Sequence, residues 1–234
     1  FLKEVKGEEN FIPEISFGNG LFNYYAIWVA EEYPLLKPII RLFPKGDKKL
    51  GISQLDNAAK NSFYTRTEAQ FFLMKILSQE NNISRSFQLS NYLSDLFPNN
   101  SIFHGVNNSL LYRSGRFNEC EKESLIIIEN FKNNKYGYKH NLVRQAAFFL
   151  GEIYNSKSEI ELSKKYYNES IEMAKIIDAE KMGYTLHSYF SLGKYAFNEN
   201  DYFSAKKYFN KVIKLTKRSE KINIDSRMFI KKMR

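Results

Sequence analysis

Residues 189–215 read YFSLGKYAFNENDYFSAKKYFNKVIKL. Tyr189, Leu192, Gly193 and Ala196 recur at steps of three and four, the period of one helical face. Asn200-Asp201 interrupts the run, and a second stripe follows through Ala205, Phe209, Val212 and Leu215. The pattern predicts two short helices joined by a tight polar turn, with their apolar faces turned together. Gly193 and Ala205 are the small residues that let the two backbones approach. Such a pair cannot cover its own apolar stripe, so it implies further pairs stacked beside it.

The same phase recurs upstream. Ala147, Leu150, Gly151 and Tyr154, followed by Ser163 and Tyr167, repeat the pattern within helices predicted over 142–154 and 159–177. A further pair is predicted over 102–113 and 117–131 across the turn Ser114-Gly115-Arg116, and a helix over 84–97 ends at Pro98. Aligning the small residue of each second helix gives Ser86, Cys120, Ser163 and Ala205, at intervals of 34, 43 and 42 residues. The longer intervals imply helices extended by about two turns at 3.6 residues each. The Ser86 and Cys120 units match the pattern only in their second helices.

Toward the beginning, residues 1–17 are polar and read as an irregular lead-in. Gly18-Asn19-Gly20 then opens an apolar helix from Leu21 to Glu32, its glycines suited to a start packed closely on a neighbour. A phosphate-cradling role is disfavoured, because Glu14-Ile15-Ser16 is a poor strand and no Lys-Ser/Thr follows. A helix is expected from Leu35 to Phe43 behind Pro34, then a turn at Pro44–Asp47. Asp47 can cap the next helix, Lys48–Lys60, and Thr65 or Thr67 the one after it.

Residues 65–217 resemble the tetratricopeptide repeat superfamily in the order aromatic, two residues, Leu-Gly, two residues, then a later Ala, three residues, aromatic. Within 18–77, G-N-G-L-F-N-Y-Y, Y-P-L-L and K-G-D-K-K-L-G-I-S-Q-L, followed by a helix bearing Arg66 and Ala69, look like the helical region of the Iml2/tetratricopeptide-repeat-39 family. Both resemblances imply an all-α, right-handed α-solenoid of antiparallel helix pairs, acting as a non-enzymatic adaptor.

Composition fits that reading. Of 234 residues, 43% are hydrophobic and 16% aromatic, with only 5 Pro, which suits stacked helices better than a loop-rich β architecture. The single Cys120 leaves no internal disulfide framework and no Cys-based zinc site. A net charge of +9 would attract nucleic acid or an anionic surface non-specifically, though a basic solvated face is the simpler reading. No apolar run reaches the ~18 residues that span a bilayer. The start at Phe1 reads as a fragment or processed product, compatible with a cytoplasmic protein, or with a periplasmic or secreted one whose signal peptide was removed.

No nucleophile elbow, phosphate loop or zinc signature occurs, and neither catalytic residues nor a cofactor are expected. His104, His140 and His187 fall in separate units, with no His or carboxylate partner at metal-ligand spacing. Glu119, Glu121 and Glu123 straddle different faces of one helix. Cys120 sits at the small-residue position inside a helix pair and reads as a buried side chain. The first helix of each repeat lines the inner side of such an array, which places Arg113, Gln145, Phe148, Glu152, Asn155, His187, Phe190, Lys194 and Asn198 along a candidate peptide groove. The Lys and Asn pairs that clamp a C-terminal carboxylate in chaperone-binding repeats are not reproduced.

The tail from Lys217 to Arg234 mixes seven basic residues with Ile222, Ile224, Met228, Phe229 and Ile230. It reads as a helix capping the last pair, with an anionic-surface arm as the alternative. The expected organisation is a lead-in (1–17), N-terminal helices (18–64), the repeats (65–217) and the cap or tail (218–234). Protein or peptide partners are expected and a homo-oligomer is compatible. A nucleic-acid-binding helical array and a small-ligand receptor are the rival functions.

Overall fold

The structure is a computed structural model describing residues 13–233. The chain divides between Pro98 and Asn99 into two compact units. It is all-α, a right-handed α-solenoid type built of antiparallel helix pairs, with no strand among the described residues.

The first unit holds α1 (Pro13–Glu32), a 3-10 turn (Pro34–Leu36), α2 (Lys37–Ile40), α3 (Lys48–Asn61), α4 (Arg66–Gln79) and α5 (Ile83–Leu96). Of the lead-in expected over 1–17, residues 1–12 lie outside the described part. From Pro13 the chain is already helical, and α1 runs through Gly18-Asn19-Gly20 instead of starting after it. The reason is tertiary. Ser16, Gly20 and Tyr24, four residues apart, are the buried positions of α1. A β-carbon on Gly20 would stand 2.8 Å from Leu55 Cγ and 3.0 Å from the Gly51 carbonyl oxygen, and one on Gly51 would stand 2.7 Å from Tyr24 N. The two helices thus meet backbone to backbone, which only glycine permits and which offsets its helix penalty of about 1 kcal/mol. Asn23 Nδ2 to Gln54 Oε1 (2.8 Å) and Asn57 Nδ2 to Ser16 Oγ (3.1 Å) flank the crossing.

Between these helices, the segment expected to be helical over Leu35–Phe43 forms only the short 3-10 turn and the single turn of α2. Pro38 removes a donor early, and Pro44 disfavours helical backbone at Phe43. Asp47 caps α3, its Oδ1 accepting from Lys49 N (2.8 Å) and Leu50 N (3.1 Å). Thr65 is the N-cap residue of α4, but its side chain accepts no capping bond.

The second unit holds α6 (Ser101–Arg113), α7 (Phe117–Lys132), α8 (His140–Ser156), α9 (Ile160–Ile176), α10 (Gly183–Asn198), α11 (Tyr202–Leu215) and α12 (Lys221–Lys232). The turns obey one rule. After α4, α6, α7, α8, α9 and α10, a residue with positive φ (Asn81, Gly115, Asn134, Ser158, Asp178 and Asn200) ends the helix. The next amide then reaches back to a carbonyl five residues earlier, as in Arg116 N to Leu111 O (3.0 Å) and Asp201 N to Ala196 O (2.9 Å). This satisfies carbonyls that would otherwise be orphaned and reverses the chain within a few residues.

A second rule governs the joints. Each small residue on a second helix faces the residue twelve positions earlier on the first. Ser86 Oγ donates to the Met74 carbonyl (2.7 Å), Cys120 Sγ lies 3.7 Å from the Asn108 carbonyl, and Ser163 Oγ donates to the Gly151 carbonyl (2.7 Å). One turn further along the second helix, size alternates across the joint. Asn108 is met by the small Ser124 (Nδ2 to Oγ 2.9 Å), whereas Gly151 is met by Tyr167 and Gly193 by Phe209. The backbone spacing is set by the sum of the two side chains, not by either alone.

α12 closes the C-terminal side of this unit. Phe229 stacks on Phe209 (centroids 4.9 Å apart, planes 13°) and meets Phe190 and Phe197 edge-on. Ile230 and Met233 join the same cluster, but Ile224 and Met228 point outward, so only part of the tail's apolar set is covered. Asn223, fully buried, donates through Nδ2 toward Ile213 O (3.1 Å), Thr216 O (3.2 Å) and Thr216 Oγ1 (3.0 Å), holding α12 to the end of α11.

Candidate functional site

The first helices of the second unit, α6, α8 and α10, carry the residues expected to form a groove. Gln145, Phe148 and His187 come together around Tyr184. Gln145 Nε2 donates to the Tyr184 hydroxyl (3.1 Å), the Phe148 ring lies 5.0 Å from that of Tyr184, and the exposed His187 ring lies 6.4 Å from Phe148. Phe148 is only 7% exposed, so it forms the floor of this patch and offers little surface of its own. Beneath it Tyr112 stacks on Phe149 (4.3 Å, 12°), and Tyr184 meets Phe149 edge-on at 5.5 Å.

Glu152 and Asn155 are tied to tyrosines of the neighbouring helices. Glu152 accepts a hydrogen bond from Tyr167, and Asn155 Oδ1 accepts one from Tyr195 (2.6 Å), whose hydroxyl also meets Ser163 Oγ at 2.9 Å. Phe190 belongs elsewhere, packed against Phe209 and Phe229 under α12. Lys194 lies over the Phe190 ring at 5.4 Å. Arg113 and Asn198 are exposed at the ends of α6 and α10.

Burial keeps the phenols at the aromatic centre neutral. Reinforced by the Glu152 charge, it pushes Tyr112 up to about 12 and Tyr167 still further above the usual tyrosine range, so both phenols stay protonated and Tyr167 donates to Glu152. Arg144, only 4% exposed, lies 5.4 Å over the Tyr184 ring and donates to Asn141 Oδ1 (2.8 Å). Burial holds its guanidinium below the usual arginine range.

Tyr184, Tyr195 and Arg144 escaped the sequence reading. Tyr184 was reachable, since it precedes His187 by three residues on the same helical face. Arg144 was not, because a charged residue beside Gln145 reads as solvent-facing until α10 is laid over it. His104 likewise finds its partner across a helix pair: Nε2 stands 2.9 Å from Glu123 Oε2 and Nδ1 2.9 Å from the Tyr138 hydroxyl. Nineteen residues separate His104 from Glu123, outside any local motif. Cys120 is buried at 0% exposure, and burial pushes its thiol up to about 12. Among the described residues no group of three or more His, Cys, Asp or Glu is positioned for a metal ion, and no helix is long and apolar enough to cross a membrane.

Residues 145–176 and 186–218 each match the tetratricopeptide repeat family model, one match falling on α8–α9 and the other on α10–α11. No curated protein matches the sequence. Among solved structures, the chain is similar to a MamA RS-1 ArsTM double mutant at 13% identity, covering 84% of this chain and 93% of that one with a TM-score of 0.56. It is also similar to BtubC (BKLC) from P. vanneervenii at 13% identity, covering 94% and 86% with a TM-score of 0.52. At such identity the likeness concerns the fold, a helical-repeat solenoid of the tetratricopeptide kind.

Proposed function

We propose that this chain is a non-enzymatic scaffold that holds an extended segment of a partner protein against the first helices of its repeats. The observation that carries the reading is the patch on α8 and α10, where Gln145, Tyr184 and His187 stand over the buried Phe148 within the two stretches that match the repeat family. Amide, phenol and imidazole groups over an aromatic floor suit a peptide backbone and its side chains. Asn155, Lys194 and Asn198 extend the line along the same helices, and Arg113 adds a cation at the end of α6. Phe190, packed against Phe209 and Phe229, takes no direct part. The Iml2-like order of residues 18–77 fits the same adaptor role, with α1–α5 adding a second helical unit.

The test is site-specific photocrosslinking in extract of the source cells, with a photoreactive phenylalanine at Gln145 or His187, and at the exposed Asn168 of α9 as control. A discrete adduct from the first two positions and none from Asn168 is the expected result. Equal adducts at all three, or none at any, overturns the proposal.

A further inference from the structure

The segment joining α1 to α3, YPLLKPIIRLFPKG over 33–46, has no counterpart in the repeat architecture and its apolar side chains face outward. Leu35 is 93% exposed and Leu42 84%, and Tyr33, Ile39 and Phe43 are each more than half exposed. Isolated exposed leucines are ordinary, but five large apolar groups within eleven residues are not. No acidic residue occurs from Tyr33 to Gly46, whereas Lys37, Arg41 and Lys45 do, and none of these three has an ion-pair partner among the described residues. At the margins, Glu31 is already engaged by Lys48 (2.6 Å), which leaves Glu32 as the nearby free carboxylate.

Pro34, Pro38 and Pro44 fix this backbone in short turns. The apolar side chains therefore project from a stiff loop without first having to order it. Behind the loop, a cleft of about 500 Å³ runs between it and α1, with Ala26, Ile27, Ala30, Ile40 and Phe43 among its lining.

We propose that residues 33–46 are a membrane-docking loop, seating Leu35, Ile39, Leu42 and Phe43 in the interfacial layer of an anionic bilayer, with Lys37, Arg41 and Lys45 at headgroup level. Two features favour a lipid surface over a protein groove. Leu35 and Leu42, the most exposed of these groups, protrude singly, as inserting wedges do, and neither lines the clefts that Ile40 and Phe43 form against α1. The cations alternate with them along the chain, so each can reach back to the headgroups on its own methylene stem while its neighbours enter the acyl region. An anionic leaflet supplies the missing counter-charge.

The experiment is vesicle flotation of the full 234-residue chain with phosphatidylcholine vesicles and with vesicles containing one-quarter phosphatidylglycerol, at low and high salt, with analytical ultracentrifugation alongside. Expected are binding to the anionic vesicles at least ~10-fold above phosphatidylcholine alone and a clear loss at high salt. The same binding should disappear in Leu35→Ser/Leu42→Ser and in Lys37→Glu/Arg41→Glu/Lys45→Glu. All five positions are exposed, and unchanged circular dichroism and melting would confirm that both variants fold. Absence of binding to anionic vesicles overturns the proposal, as does binding that both variants retain. A dimer that Leu35→Ser/Leu42→Ser dissociates would assign the loop to a second copy, and tight capture of an acidic amphipathic peptide without vesicle binding would assign it to a protein. Either result overturns the lipid assignment.

Discussion

Gly151 lies under the ring of Tyr167 so closely that a β-carbon there would stand 2.6 Å from both Cδ1 and Cε1. Tyr167 is fully buried and its hydroxyl is held by Glu152, so the ring has little freedom to retreat. Two effects oppose each other in Gly151→Ala. Helix propensity favours alanine by up to about 1 kcal/mol, and overpacking costs about 1–3 kcal/mol. The second wins here, and the variant is expected to lose about 1–2 kcal/mol in urea unfolding. Gly193→Leu should lose more, because a whole leucine side chain would have to enter a joint where even a β-carbon would stand 2.8 Å from Phe209. Unchanged midpoints would mean that the rings move aside without cost.

Cys120 should be chemically silent while the chain is folded. Burial and a thiol raised to about 12 leave almost no thiolate at pH 8. A disulfide reagent such as DTNB is expected to titrate no thiol in native buffer and one per chain in guanidinium chloride. Rapid native reaction would place Cys120 outside the α6–α7 joint.

Asn223 is the fastening of α12. Replacing it by Ala leaves the carbonyls of Ile213 and Thr216 without their side-chain donor and should cost about 1–3 kcal/mol. Limited proteolysis should then cut near Lys217–Lys221 before any other site. Cutting elsewhere first would show that the Phe229 cluster holds α12 unaided.

Stability should fall on both sides of neutrality. The Tyr24 hydroxyl at Glu80, the Lys211 ammonium and Tyr189 hydroxyl at Glu180, and the His104 ring 2.9 Å from Glu123 hold these three carboxyls below their usual range. A depressed carboxyl stabilises the fold above its unfolded pKa of ~4.3, and that contribution is lost as pH falls through the folded value. Tyr24, Tyr154, Tyr167 and Tyr189 are raised, chiefly by burial, so their contribution is complete below the unfolded value of ~10 and is lost above it. Urea midpoints are expected to be level from about pH 6 to 9 and to decline beyond each end. Tyr167→Phe should lower the whole curve and make its alkaline limb shallower. An alkaline limb unaltered in that variant would remove Tyr167 from the account.

The helix pairs were legible in the sequence because the signal is local. Gly193 and Ala205, or Gly151 and Ser163, lie twelve residues apart, and a turn residue sits between them at a position that must adopt positive φ. What resisted reading depends on contacts made from far along the chain. Gly18-Asn19-Gly20 looks like a helix start until Gly51 is brought against Gly20. Phe190 looks like a groove residue until Phe229, 39 positions later, closes over it. The apolar run over 35–43 looks like a helix because hydrophobic spacing does not register how Pro38 divides it and Pro44 ends it.

The alternation of size across the joints limits how the chain can be recombined. α9 brings an aromatic ring to a glycine, and so does α11, so these two second helices are cut to a common key and should exchange between α8 and α10 with modest repacking. α7 brings a serine to an asparagine and belongs to another key. Grafted behind α8, it would leave a hole the size of a phenol ring. Duplication of segments within this gene would therefore propagate readily through one half of the second unit and stall at the other.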